Sequence, residues 1–181
     1  MVKQFSGFLV LVALALFQVA CDRTAQEESA ADIKAEIIEY GVYERKGEFI
    51  RIPDPTSPTG YVSRSDKSGE ITLARETETV QMAQGVLFGY RVNVINLPDA
   101  EQHVFTLRYE FPPMITHEGQ TTTSTEDQRR VTTSSRGVTG GIYYMLSEEY
   151  EMVPGEWKLT VLYKGDELAS KTFTLIENEN S

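Results

Sequence analysis

The chain has 181 residues, with 27 acidic against 17 basic side chains and a formal charge of −10. So anionic a protein does not grip nucleic acid or an anionic lipid surface through net charge, because its own field repels them, and Arg129-Arg130 is too short a basic run to reverse that. A single cysteine, Cys21, excludes an internal disulfide framework, so stability has to come from packing.

The N-terminus carries an address. Behind Lys3, residues 4–20 run for 17 positions without a charge, and Phe8, Leu9, Val10, Leu11 and Val12 lie at their centre. That length is at the bottom of what spans a bilayer, and a positive start before a short apolar run suits a signal peptide better. The run ends Gln18-Val19-Ala20-Cys21. This ending resembles a bacterial lipoprotein signal, in which a small residue precedes a cysteine that is lipidated and becomes the mature N-terminus. Gln18 departs from the aliphatic residue usual at its place. An ordinary secretory peptide and an uncleaved anchor are the alternatives, and Gln18 fits the small-residue rule for secretory cleavage no better. The resemblance implies a cysteine with more than one acyl chain, which gives durable membrane attachment. It also implies a bacterial cell envelope location, facing the periplasm or the surface. Asp22 resembles an enterobacterial inner-membrane retention signal, and both membranes stay open. The expected organisation is a signal over residues 1–20, a lipidated cysteine and tether over 21–32, one β domain over 33–177 and a tail over 178–181.

Along the chain, residues 22–32 are polar, alanine-rich and without an apolar period, and reach at most roughly 35–40 Å when extended. Ile33, Ile37 and Tyr40 could mark a helical stripe, but Ile38, Tyr40 and Val42 alternate and Gly41 disfavours a helix interior, so a strand is expected. Pro53, Pro55 and Pro58 make residues 53–60 a loop or an edge, since proline brings no donor to a ladder. Ile71, Leu73 and Val80 are assigned to one strand, and residues 86–95 to a long one buried on one face and partly on the other. After a turn at Leu97-Pro98-Asp99-Ala100, Phe105, Leu107, Tyr109 and Phe111 alternate until Pro112-Pro113 stops them. Residues 117–135 read as an exposed loop plus a polar strand, with the threonine run 121–125 in solvated loop. Gly140-Gly141 precedes a strand over 142–146, and Ser147-Glu148-Glu149 could cap a short helical turn. Trp157, Leu159, Val161 and Tyr163 alternate up to Lys164-Gly165-Asp166, and residues 168–176 return as a hairpin. About seven short strands without a crossover helix predict an antiparallel immunoglobulin-like β-sandwich, with a closed barrel second.

Several stretches recur together in one bacterial family: Glu39-Tyr40-Gly41-Val42-Tyr43, the proline loop 55–60, Leu87-Phe88-Gly89-Tyr90-Arg91, Phe111-Pro112-Pro113, and Val153-Pro154-Gly155-Glu156-Trp157. Lys164-Gly165 and Lys171-Thr172-Phe173-Thr174-Leu175 complete the set. With them the chain resembles the family catalogued as domain of unknown function 3859, over about residues 33–176. The resemblance implies a secreted β-rich domain and brings no catalytic residue to carry over. Residues 114–119 depart from it, lacking a glycine-proline turn.

The chemistry-bearing residues are sparse. His103 and His117 are the two imidazoles, with no His-x-x-x-His or His-Glu-x-x-His spacing, and both read as surface histidines. Glu148 and Glu149 would point apart in a strand, whereas Glu76 and Glu78 would share a solvated face. Asp66-Lys67-Ser68-Gly69-Glu70 lacks the alternating ligands of a calcium loop and reads as a turn. Tyrosines cluster twice, with Tyr40, Tyr43 and Tyr61 near the proline loop and Tyr143, Tyr144 and Tyr150 after the glycine pair; sandwich ends or a partner face would use them. Trp157 is expected in the core. No catalytic residue, cofactor or metal site is assigned. The expected protein is a membrane-anchored, non-catalytic binding domain, attached through Cys21 and presenting Tyr43, Pro58 and Tyr61 to an envelope protein or polysaccharide. A carbohydrate- or cell-wall-binding module is the alternative, and a hydrolase using His117 the second.

Overall fold

Period-two patterning resolves into eleven strands in the computed structural model, which describes residues 33–46, 49–53, 61–65, 70–98, 102–132 and 136–178. They are β1 (Lys34–Arg45), β2 (Phe49–Pro53), β3 (Tyr61–Ser65), β4 (Ile71–Arg75), β5 (Thr79–Gln81) and β6 (Leu87–Ile95). Then come β7 (His103–Ile115), β8 (Thr121–Val131), β9 (Gly137–Met145), β10 (Gly155–Tyr163) and β11 (Asp166–Ile176). One sheet runs β4-β1-β6-β9 and the other β5-β11-β10-β7-β8, while β2 and β3 form a separate hairpin. All pairings are antiparallel except β5 with β11. Two open sheets face each other, as the sandwich expectation required and the barrel alternative did not.

The inner faces meet in one aromatic-rich core. Trp157 on β10 is fully buried, and its ring lies 5.8 Å from Phe88 of β6, 4.9 Å from Phe111 of β7 and 4.9 Å from Tyr144 of β9. Phe88 also meets Phe173 of β11 at 5.4 Å, so four strands beside β10 converge on one cluster. The indole N–H donates to the Val153 carbonyl at 3.1 Å, which removes the cost of burying it. Nearby, the Tyr90 hydroxyl crosses from β6 to donate to the Ala169 carbonyl of β11 at 2.9 Å. That bond ties the two sheets together.

The strand expectations need five corrections. Ile38 is an extra residue in β1 at a register shift against β6, and it is 48% exposed. The bulge changes phase, so Ala35 and Ile37 face the core before it and Tyr40 and Val42 after it; this is why a helical stripe and a strand competed in the sequence. Ile71, Leu73 and Val80 do not share a strand. The chain leaves β4 in one sheet, turns with the Thr77 hydroxyl bonded to the backbone of Thr79, and joins the other sheet as β5. Pro112-Pro113 does not stop β7, because pairing with β10 has already ended at Glu110 and the β8 register skips from Glu110 to Met114, so no ladder donor is required there. The threonine run lies in β8, and Gly140-Gly141 lies within β9. The expected hairpin is present, closed by Lys164 (φ 53°) and Gly165 (φ 95°) in the left-handed pair that a tight two-residue turn requires.

Two glycines test how closely the strands approach. A side chain at Gly41 (φ 142°) would collide with the Arg75 carbonyl across the β1–β4 pair, whereas a Cβ at Gly140 meets nothing within 4 Å. Gly41→Ala is expected to cost about 3 kcal/mol or more in chemical unfolding, and Gly140→Ala to stay within about 0.5 kcal/mol of wild type. Equal losses in the two variants would contradict this account of the β1–β4 contact.

Candidate interaction surface

The residues expected to face a partner are not gathered on one exposed patch. Tyr43 follows a second register shift in β1 and sits on the outer face of the four-stranded sheet, yet only 3% of it is exposed. Its ring meets Tyr143 of β9 edge-on at 4.7 Å, so the two tyrosine groups separated in sequence touch through this pair. As an accessible contact residue Tyr43 is corrected: it is packed under its neighbours. Pro58 lies outside the described residues, as does Cys21, and Tyr61 is described by its backbone, as the first residue of β3.

Tyr143 earns its place through glycine. A Cβ at Gly141, two residues back on the same face, would collide with the Tyr143 ring, so the ring lies down over a strand position without a side chain. Burial, opposed by nearby Arg91, pushes the Tyr143 hydroxyl up to about 12. Arg91 pairs with Glu39 at 3.4 Å across β6 and β1, beside the two rings. The Gly-x-Tyr spacing was the sequence signal for this arrangement; the cross-sheet encounter with Tyr43 had none.

The titratable groups serve the fold. His103, expected at the surface, is 1% exposed, and its Nδ1 shares a 3.0 Å hydrogen bond with the Tyr163 hydroxyl. His117 is exposed in the turn after β7, with its ring edge-on to Tyr150 at 4.9 Å. Glu76 and Glu78 lie in the β4–β5 crossing instead of along a strand, and Glu78 pairs with Lys171, whose ammonium also sits 3.7 Å over the Tyr40 ring. Among the described residues, no group of three or more His, Cys, Asp or Glu side chains stands close enough to hold a metal ion.

Glu151 is the group that sequence reasoning missed. It ends the 3-10 turn Glu149–Glu151, which Glu148 caps as expected, and it is 1% exposed. Its Oε2 accepts the amides of Ser147 at 2.6 Å and Glu148 at 2.8 Å, and its Oε1 accepts the Tyr144 hydroxyl at 2.9 Å. Burial raises its carboxyl above the ordinary value, with these hydrogen bonds opposing the rise. Burial and the neighbouring Glu151 charge raise the Tyr144 hydroxyl in turn. This is a structural clamp on the β9–β10 connection. Its sequence signal was Glu148-x-x-Glu151, a capping-box spacing.

Among the described residues, the sandwich is open along one side. β9 ends its sheet and packs over β10, with Tyr144 reaching Tyr109 and Phe111 of β7, whereas β8 continues beyond with no buried residue along its length. Gly140 pairs with Val92 and so faces the space between the sheets, where its Cβ position is empty to 4 Å. On the same inward side β8 presents Thr125, Asp127 and Arg129, opposite Tyr109, Leu107 and Phe105 of β7. The Tyr109 hydroxyl feels both Asp127 and Arg129, and burial raises it.

Two open, mainly antiparallel sheets around a shared hydrophobic core, with the chain crossing between them, define an immunoglobulin-like β-sandwich. An immunoglobulin-like protein from Pseudomonas aeruginosa has a similar structure, with a TM-score of 0.56, 22% identity and coverage of 81% of this chain and 98% of its own. The chain belongs to the family described as Domain of unknown function (DUF3859), whose model matches residues 31–175. An alkylpurine DNA glycosylase from Pseudomonas fluorescens, bound to DNA containing an abasic site analog, matches at a TM-score of 0.32 and 10% identity over 54% of this chain and 27% of its own, too loosely to carry any argument. No curated protein sequence matches the chain.

The Glu151 clamp yields a signed pH dependence. A carboxyl whose pKa is raised by folding contributes stability that is full below its unfolded value and lost as pH rises through its folded value. Glu151→Gln keeps an acceptor for both amides and a donor for the Tyr144 oxygen but does not titrate. The melting temperature of Glu151→Gln relative to wild type is therefore expected to rise as pH increases above the ordinary carboxyl value of 4.5. Glu151→Ala strands two amides and a hydroxyl and is expected to cost about 2–4 kcal/mol. A wild-type–Gln difference that is flat with pH would refute the buried-carboxyl account.

Proposed function

We propose that the protein is a bacterial envelope lipoprotein, held to a membrane through acylated Cys21, whose immunoglobulin-like sandwich binds another envelope component without performing chemistry. The observation that carries this reading is the placement of the lone cysteine directly after an uncharged apolar run and ahead of a polar stretch. The engagement of the ionisable groups supports the non-catalytic part: His103 is bonded within the core, Glu151 clamps a connection, and His117 leans on Tyr150. A polysaccharide ligand is the second reading, favoured by the half-buried Tyr143 ring beside the Glu39–Arg91 pair on the outer face.

Mass spectrometry of the mature protein from its host is expected to find Cys21 as the acylated N-terminal residue, and Cys21→Ala is expected to move the protein from the membrane to the soluble fraction. Unmodified Cys21, or an unchanged distribution of the variant, would remove the anchor. His117→Ala is expected to leave a broad hydrolase screen as inactive as wild type; an activity present in wild type and lost in the variant would reverse the non-catalytic assignment. Glycan-array binding lost on Tyr143→Ala would favour the polysaccharide ligand.

A further inference from the structure

We infer that the open edge of β9 receives an extended peptide segment of a protein partner, which adds to the four-stranded sheet as a fifth strand. The inference deepens the binding-domain reading and rests on it for the class of partner. Strand edges carry unpaired amides and carbonyls, and proteins commonly blunt them with charge, proline or brevity. The β8 edge is blunted by Glu126, Asp127, Arg129 and Arg130, and β4 and β5 are short. Across its nine residues β9 has no charge and no proline.

Shape selects a single strand. β7 and β8 extend beyond β9 as a shelf, so a segment paired to β9 would have one face against β8 and the inner side of β7. The empty space at Gly140 is where that segment's side chains would enter. A second copy fits poorly, because joining two β9 edges about a two-fold axis drives each shelf into the other five-stranded sheet. Charge selects its composition. Counting back from the connection between β8 and β9, Arg129 lies toward the Gly137 end of β9 and Asp127 nearer its middle, both on the shelf's inward face. Exposed Arg136 precedes Gly137, its Nε donating to the Leu97 carbonyl at 2.9 Å. The fitting segment carries a carboxylate at the Gly137 end and an uncharged or basic residue beside Asp127, and its backbone supplies most of the affinity.

The test uses the complete mature protein in detergent and a displayed library of random nonapeptides, followed by synthesis of the selected sequences. Peptides with an acidic residue at one end are expected, and their binding should protect the amides among residues 138–145 that point away from β6 from hydrogen exchange. Gly140→Lys places a charged side chain in the space, where a Cβ meets nothing within 4 Å. It should leave the melting temperature unchanged and weaken binding by about tenfold or more, the equivalent of one net hydrogen bond or better. Arg129→Ala should weaken an acid-bearing peptide by about fivefold and leave its amide counterpart unaffected. The inference is overturned if no peptide is selected, if protection falls on another strand, or if Gly140→Lys binds as wild type. Protection of β9 that appears with protein concentration alone would instead assign the edge to a second copy. Should the edge fail while acylated Cys21 and partner crosslinks through another face persist, the binding-domain reading stands without it. Loss of acylation alone leaves the edge result intact.

Discussion

The fold depends on the ring cluster around Trp157. Five strands from two sheets contribute to it: the indole from β10, Phe88 from β6, Phe173 from β11, Phe111 from β7 and Tyr144 from β9. Each edge-on or tilted ring pair adds about 0.5–1.5 kcal/mol beyond the area it buries, and here the pairs share members, so the loss of one ring loosens several contacts. Sheets face each other only where such side chains interdigitate. The place of the β8 overhang, paired to β7 beyond the cluster, follows from where these five are held.

Tyr144 carries that constraint outward. Its ring belongs to the core and its hydroxyl to Glu151, so the core and the β9–β10 connection share one side chain. Without the carboxylate the connection would leave the Ser147 and Glu148 amides facing an interior with no acceptor. Glu151 therefore accepts the cost of its own burial in exchange for three satisfied donors. The opposite end of the sandwich uses the same device with different chemistry, in the His103–Tyr163 hydrogen bond at the start of β7 and the end of β10. Both are polar groups whose role is to end a core cleanly.

Much of the fold was legible because alternation reports burial directly: β6, β7, β10 and β11 stand where their apolar residues alternate, and Trp157 is where its position in that pattern puts it. The failures share a physical origin, since alternation says nothing about pairing. It could not show that the chain changes sheets between Leu73 and Val80, nor that β7 has no ladder bonds left to lose at Pro112-Pro113. A bulge at Ile38 shifts phase and imitates a helix over a few residues. The burial of His103 and Glu151 was invisible because it depends on Tyr163 and Tyr144 arriving from elsewhere. Tyr43 was misread for the complementary reason: on the outer face of a sheet an aromatic is exposed unless a neighbour covers it, and Tyr143 comes from the far side of β6.

The edges of the two sheets are kept from indiscriminate pairing by different means. β8 hangs beyond the sandwich with both faces largely solvated, and a charged edge is what keeps such a strand from recruiting another. β9 lacks charge but lies under that overhang, so a neighbouring sheet cannot approach it broadside while a lone strand can enter along it. Burying Gly140 beneath a side chain would close the entrance from within, and charging β9 would close it from the side. The chain does neither, so steric access sets the shape of what the edge meets, and Asp127 and Arg129 on the inner face of β8 set its charge.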